Sequence, residues 1–183
     1  MLLKITENTD IDPRNIMDIY AESNMENTDY FYPETEDTEL ALQKVESDFL
    51  EYIGTEFLSC PANAYWVLEE NGVWVSALRL YKVKEGFYYI EALETRPDRR
   101  RQGCAFRLLN GLLEELKKQG AFRICDCVGK KNTASLKTHE KCGFSVVSDC
   151  GYNYLSDETD DRDFGMEYSY ESNTPLLAAG HQT

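Results

Sequence analysis

The stretch 87–118 limits what this chain can fold into more than any other. Phe87 to Glu94 is rich in aromatic, β-branched and aliphatic residues and reads as a buried strand. Residues 95–105 follow as Thr-Arg-Pro-Asp-Arg-Arg-Arg-Gln-Gly-Cys-Ala, and from Phe106 to Leu116 apolar residues recur at helical spacing. A strand that passes through a glycine loop into a helix turns the helix's unpaired N–H groups toward whatever occupies the loop. Gly103 and the small Ala105 let the backbone approach a ligand closely. Arg96, Arg99, Arg100, Arg101 and Arg107 crowd this stretch, although the chain carries 33 acidic against 19 basic residues. The unit fits a phosphate cradle; a strand, a turn and a solvated basic helix start is the plainer alternative.

Around this unit the pattern gives a strand over 2–6, then a helix from Pro13 toward Ala21, with Pro at its first position. Periodicity breaks over 23–37 and resumes from Thr38 as an acidic amphipathic helix ending near Gly54. Strands over 65–68 and 73–81 are joined by Asn71-Gly72, a strong hairpin signal. The helix 104–118 stops at Gly120, a strand covers 122–128, and a helix covers 133–142 with Gly143 as its cap. A strand over 144–147, an acidic connection over 156–161 and a last strand over 164–170 complete the order. One domain over 1–170 is expected, with a mobile or partner-binding tail over 171–183.

Arg100-Arg101-Gln102-Gly103-Cys104-Ala105 resembles the [Arg/Gln]-x-x-Gly-x-[Gly/Ala] signature of the GNAT superfamily of N-acetyltransferases. The segment Asn132 to Phe144, Asn-Thr-Ala-Ser-Leu-Lys-Thr-His-Glu-Lys-Cys-Gly-Phe, is similar to that family's Asn-x-x-[Ala/Ser]-x-x-x-[Tyr/His]-x-x-x-Gly-Phe helix. The two motifs stand about 30 residues apart, separated by an apolar helix and a strand. The resemblance implies an α/β fold of the α+β kind: a mixed, mostly antiparallel twisted sheet flanked by helices. The chain departs from the commoner pattern at Thr95, at Ala105 and at His139, where tyrosine is most frequent.

The resemblance also implies a chemistry, transfer of acetyl from acetyl-CoA to an amine. It places the pyrophosphate on the amides of Arg101, Gln102, Gly103, Cys104, Ala105 and Phe106, with Arg100 beside them. It places the pantetheine arm against Asn132 and against main-chain donors around Leu93, Glu94 and Thr95. An alkylamine is mostly protonated near neutral pH and needs a proton acceptor. Glu91 and Glu94 are the candidates. In an unbroken strand Glu91 shares a face with Leu93 and Thr95 while Glu94 points the other way; Glu91 is favoured because it matches the strand glutamate of polyamine-acetylating members. His139 is seven residues from Asn132, two helical turns, so both are expected to face one groove; the resemblance implies that the residue at 139 protonates the departing sulfur, and His139 could equally serve as the amine's base. Tyr30, Phe31 and Tyr32 fall between the first two helices, where the family builds its acceptor wall; core packing is the alternative for them.

The net charge of −14 disfavours nucleic acid and mildly favours a cationic acceptor. No run approaches the length of a membrane span, and residues 1–6 lack the apolar core of a signal peptide, so a cytoplasmic location is expected. The six cysteines form no framework, and free thiols are expected. No metal is expected, because Cys125 and Cys127 alternate in a strand and lack the reverse turn of a zinc knuckle. A non-catalytic acyl-CoA sensor is the rival function, and a homodimer is left open.

Overall fold

The computed structural model describes residues 1–171; the tail expected to be mobile lies outside the described residues from 172 onward. Seven strands form one sheet in the order β1-β2-β3-β4-β5-β9-β6. These are β1 (Leu2–Ile5), β2 (Ala64–Glu70), β3 (Val73–Lys84), β4 (Phe87–Thr95), β5 (Phe122–Gly129), β6 (Ser145–Ser148) and β9 (Asp163–Tyr170). All pairs are antiparallel except β4 with β5. The β2–β3 turn has φ of 52° at Asn71 and 80° at Gly72, the two positive values that a type I′ hairpin requires.

Helix α3 (Cys104–Lys117) covers one face of the sheet. Its Leu108, Leu109, Leu112, Leu113 and Leu116 are buried against Leu78, Ile90 and Ile124. Burying each such side chain contributes about 1.5–3 kcal/mol. Leu109→Ala should therefore cost about 2–5 kcal/mol, read as a lower denaturant midpoint at an unchanged m value.

Helices α1 (Pro13–Phe31) and α2 (Thr38–Tyr52) cover the other face. Asp12 caps α1 by accepting from the amides of Arg14 and Asn15, and Asp37 caps α2 in the same way. α1 runs ten residues past the expected end at Ala21. Its inward stripe does not stop there; it changes chemistry. Ile16, Ile19 and Tyr20 give way to buried Asn24 and Thr28 at the same spacing, and a pattern sought in apolar residues alone loses the helix at that point. Thr28 Oγ1 satisfies itself on the Met25 carbonyl at 2.8 Å, a local bond that keeps a hydroxyl tolerable inside. The helix ends at Tyr32, the residue before Pro33, where αR is disfavoured.

Helix α4 (Thr133–Lys141) sits beside α3. The acidic stretch expected as a plain connection contains a strand. Strands β7 (Gly151–Asn153) and β8 (Glu158–Asp160) form a separate two-stranded ribbon, with β7 packed near β5 and β9. All six cysteines are free thiols, and no helix among the described residues is long and apolar enough to cross a membrane.

Candidate active site

The site begins where β4 and β5 part. They pair only from Phe87↔Arg123 to Tyr89↔Cys125, while β4 stays on β3 as far as Thr95 and β5 stays on β9 as far as Gly129. With different partners on their outer sides, the two strands diverge and leave a groove of about 720 Å³. Ala92, Leu93, Glu94 and Thr95 form one wall and Asp126 to Gly129 the other. Arg100, Arg101, Gly103, Cys104, Ala105 and Phe106 close one end, with Asn132, which caps α4, and Ser135 and Thr138 of that helix beside them. Both sequence motifs therefore line a single groove.

The loop end is a set of open donors. Gly103 caps α3 in the left-handed region at φ 75°, and Arg101 lies there as well at φ 60°. The first bond of the helix runs from Arg107 N to Gly103 O at 3.0 Å, so the amides of the first turn up to Phe106 are available to an anion. The arginines are less available than their number suggests. Arg96 pairs with Asp18 and Asp98, Arg99 with Glu70 and Asp98, Arg100 with Glu22, and Arg107 with Glu70 at 2.6 Å. Arg101, exposed, carries no ion pair among the described residues. Gln102 turns away from the groove and donates to the Asp98 carbonyl at 3.1 Å.

The two glutamates stand differently from the expectation for an unbroken strand. Glu91 is opposite Arg79 and Glu94 opposite Ala77, so Ala92 and Leu93 together oppose Leu78. This is a β-bulge, with Ala92 at φ 51°. Tyr20 Oη holds it by donating to the Ala92 carbonyl at 2.7 Å, and Tyr65 Oη donates in turn to Tyr20 Oη at 2.9 Å. The extra residue inverts the alternation. Glu91 and Glu94 now share the α1–α2 face with Arg79 and Ala77, whereas Leu93 packs into the α3 core and Thr95 meets Ser76 Oγ at 3.0 Å.

Their surroundings separate them. Glu91 is held by Arg79 Nη2 at 3.2 Å and by the Tyr81 hydroxyl at 3.1 Å, and it lies away from the groove. Glu94 lines the groove and also a second cavity beyond it. Burial pushes the Glu94 pKa up, a Ser23 hydrogen bond and the Arg100 charge pull it back, and Glu26 and Glu22 add to the rise.

His139 does not face the groove. It is fully buried, with Nε2 2.8 Å from Asp126 Oδ2 and Nδ1 2.9 Å from the Ser135 carbonyl. The face rule carried Asn132 and His139 to the same side, but Asn132 is the cap and lies outside the helical turns, with Oδ1 accepting from Ser135 N at 3.1 Å. A carbonyl only accepts, so Nδ1 carries a hydrogen and one further proton bridges Nε2 and the carboxylate. Burial lowers the His139 pKa, but its bond and attraction to Asp126 outweigh this and the net direction is upward. Burial raises that of Asp126 against the His139 bond.

Two cavities adjoin the groove on the side away from the loop. One, of about 440 Å³, lies under α1 and α2 and is lined by Tyr20, Ser23, Asn27, Phe31, Phe49, Tyr52 and Glu94. The other, of about 720 Å³, lies under the β7–β8 ribbon and carries Glu91, Asp126, Asp157, Glu158, Asp160 and Asp163. Arg79 and Ala92 border both. Of the three aromatics expected in the connection, Tyr30 and Phe31 belong to the last turn of α1, and Phe31 alone lines a cavity. Tyr30 is 78% exposed, and Tyr32 bonds Asp48 on α2; neither of these two tyrosines is buried.

Asp126 and the tyrosines on the bulge were not singled out from sequence. The signal for Asp126 was present, an acid set among Ile124, Cys125, Cys127 and Val128 of a strand-like run.

A splayed β4–β5 pair, a bulge in β4 and a glycine loop feeding α3 together form an elongated groove between two strands of a mixed sheet, with free amides at one end that suit a phosphate-bearing molecule. Residues 19–144 match the model of the Acetyltransferase (GNAT) family, and the chain belongs to that family. The structure is similar to PaiA N-acetyltransferase from Thermoplasma acidophilum, solved in complex with coenzyme A: TM-score 0.60, 16% identity, 93% of this chain and 99% of that one covered. It is also similar to the ribosomal-protein-S18-alanine N-acetyltransferase from Escherichia coli (TM-score 0.55, 22% identity, 72% and 81% covered). An N-acetyltransferase from Staphylococcus aureus Mu50 gives TM-score 0.54 at 18% identity, with 93% and 98% covered. These likenesses establish the fold. No curated protein sequence matches the chain.

Proposed function

We propose that this acetyltransferase transfers acetyl directly to a primary amine of a small molecule or peptide, with a cationic acceptor preferred. Acetyl-CoA is its co-substrate. The observation that carries the reading is the inner end of the groove, where Glu94 borders the α1–α2 cavity and Asp126 borders the ribbon cavity. An acyl group laid along the groove from the loop arrives between two carboxylates, and an ammonium group can approach through acid-lined space.

In this reading the amides from Arg101 to Phe106 bind the pyrophosphate. The main chain of Leu93 to Thr95, freed from a β5 partner, meets the pantetheine arm and the thioester oxygen. Glu94 takes the first proton of the ammonium group. Glu91, committed to Arg79, contributes negative field to the ribbon cavity instead of acting as the base. Asn132 keeps its carboxamide nitrogen for the arm while its oxygen caps α4. Direct transfer is favoured over a cysteine relay because burial raises the Cys127 pKa, and a buried neutral thiol is a poor nucleophile.

The test is mass detection of acetylated product and CoA from acetyl-CoA with a diamine, a lysine-bearing peptide and an aminoglycoside. Product with any of them supports the reading. Tight acetyl-CoA binding without product from any amine would favour the sensor function instead.

A further inference from the structure

We propose that Asp126, held by His139, shuttles a proton from the acceptor nitrogen to the departing sulfur, with Asp126 the catalytic residue and His139 the positioning residue. The assignment rests on the acetyl-transfer reading above. Among the described residues, only Ala92, Asp126 and Cys127 border both the groove and the ribbon cavity. Of the side chains at this junction, Asp126 is the carboxylate. Its side chain is 10% exposed, and His139 is wholly enclosed behind it. One carboxylate oxygen, Oδ2, is occupied by His139 Nε2. The Cys127 amide also bonds the carboxylate, and no side chain among the described residues takes the other oxygen, Oδ1, which is the one a shuttle can use at the junction.

The step balances without any further reagent. Glu94 takes one proton from the ammonium group, and the neutral nitrogen then attacks the thioester carbon, forming the C–N bond while the carbonyl π pair moves to oxygen. The nitrogen is now positively charged and must lose a second proton. Asp126 accepts it. When the oxygen pair returns, the C–S bond breaks and sulfur leaves with the bonding electrons; Asp126 gives it the same proton. Asp126 and His139 end as they began, and the proton on Glu94 passes to solvent.

The charged and titratable groups around Asp126 are His139 on α4, Tyr89 and Glu91 on β4, Cys127 on β5, Asp163 on β9, Asp157, Glu158 and Asp160 of the ribbon, and beyond Glu91 its partner Arg79 on β3. Among them His139 alone touches the carboxylate as a cation. Removing its charge should therefore raise the pH at which Asp126 ionises.

The experiment compares wild type, Asp126→Asn and His139→Gln on whichever amine of the panel the wild type acetylates. Asn keeps the shape and can donate its amide to a neutral imidazole, so folding should persist. Asp126→Asn is expected to lower kcat about 10²-fold while the KM for acetyl-CoA changes little. His139→Gln should move the acidic limb of the kcat profile to higher pH. Wild-type kcat in Asp126→Asn, or a loss matched by a collapse in melting temperature or acetyl-CoA KM, overturns the assignment alone. An unmoved limb in His139→Gln overturns the part given to His139. If the wild type acetylates no amine, the reading beneath falls and the assignment falls with it.

Discussion

Gly103→Glu should lose acetyl-CoA binding by about 10³-fold and still fold. The folding half follows from the loop itself. A Cβ on Gly103 would meet nothing within 4 Å, so the substitution meets no packed neighbour. Its cost is the left-handed backbone at φ 75°, roughly 1–2 kcal/mol for a residue with a side chain. The binding half follows from what the open space is for. A pyrophosphate against the first-turn amides gains charge-assisted hydrogen bonds of about 1.5–3 kcal/mol each. A carboxylate in that space repels the ligand and displaces it from at least two of them, which gives the thousandfold loss. Thermal shift reads the result directly: acetyl-CoA at about 100 times Kd adds about 2.7 kcal/mol to the wild type and should add nothing measurable to the variant. Because four of the five loop arginines already have acidic partners, wild-type binding should weaken with salt less than five unpaired cations would require. An undiminished shift in Gly103→Glu would remove the cradle from the site.

The loop was legible in the sequence because its physics is local. A strand, a left-handed glycine and a helix start fix the direction of six amides without help from the rest of the chain. The order of elements along the chain and the α3 stripe were legible for the same reason, since period and turn chemistry repeat over many residues. The bulge was not. Ala92 at φ 51° carries no signature in its own side chain, and its conformation is imposed by Tyr20, seventy-two residues earlier in the chain, through the Ala92 carbonyl. One inserted residue then put Glu91 and Glu94 on the same face, where an unbroken strand would have set them on opposite ones. His139 was misdirected differently. Spacing along α4 locates a residue around the axis but not the wall behind it, and that wall holds Asp126 from another element. The ribbon over the acidic cavity escaped because its strands have three residues each, too short for alternation to show.

Glu94→Gln should lower turnover about 10³-fold while leaving acetyl-CoA affinity close to wild type. The carboxylate borders both the groove and the α1–α2 cavity, where a nitrogen approaching the thioester would pass. Burial raises its pKa, which makes the carboxylate a stronger acceptor for an ammonium proton. The same shift has a stability consequence of definite sign. Because the folded-state pKa is above the unfolded one, the folded chain binds more protons between the two values, and stability falls as pH rises through that window. Gln imitates the neutral acid. The variant should therefore melt at or above the wild type near neutral pH, with the gap closing as pH falls below the folded pKa. Lost turnover with a gain in melting temperature distinguishes a proton acceptor from a packing residue, for which both would fall. Glu91→Gln should behave in the opposite way: it leaves the largely buried Arg79 without its partner and should lower the melting temperature. If instead Glu91→Gln loses the thousandfold in turnover and Glu94→Gln stays near wild type, the proton acceptor is Glu91, and the bulge serves only to open the groove.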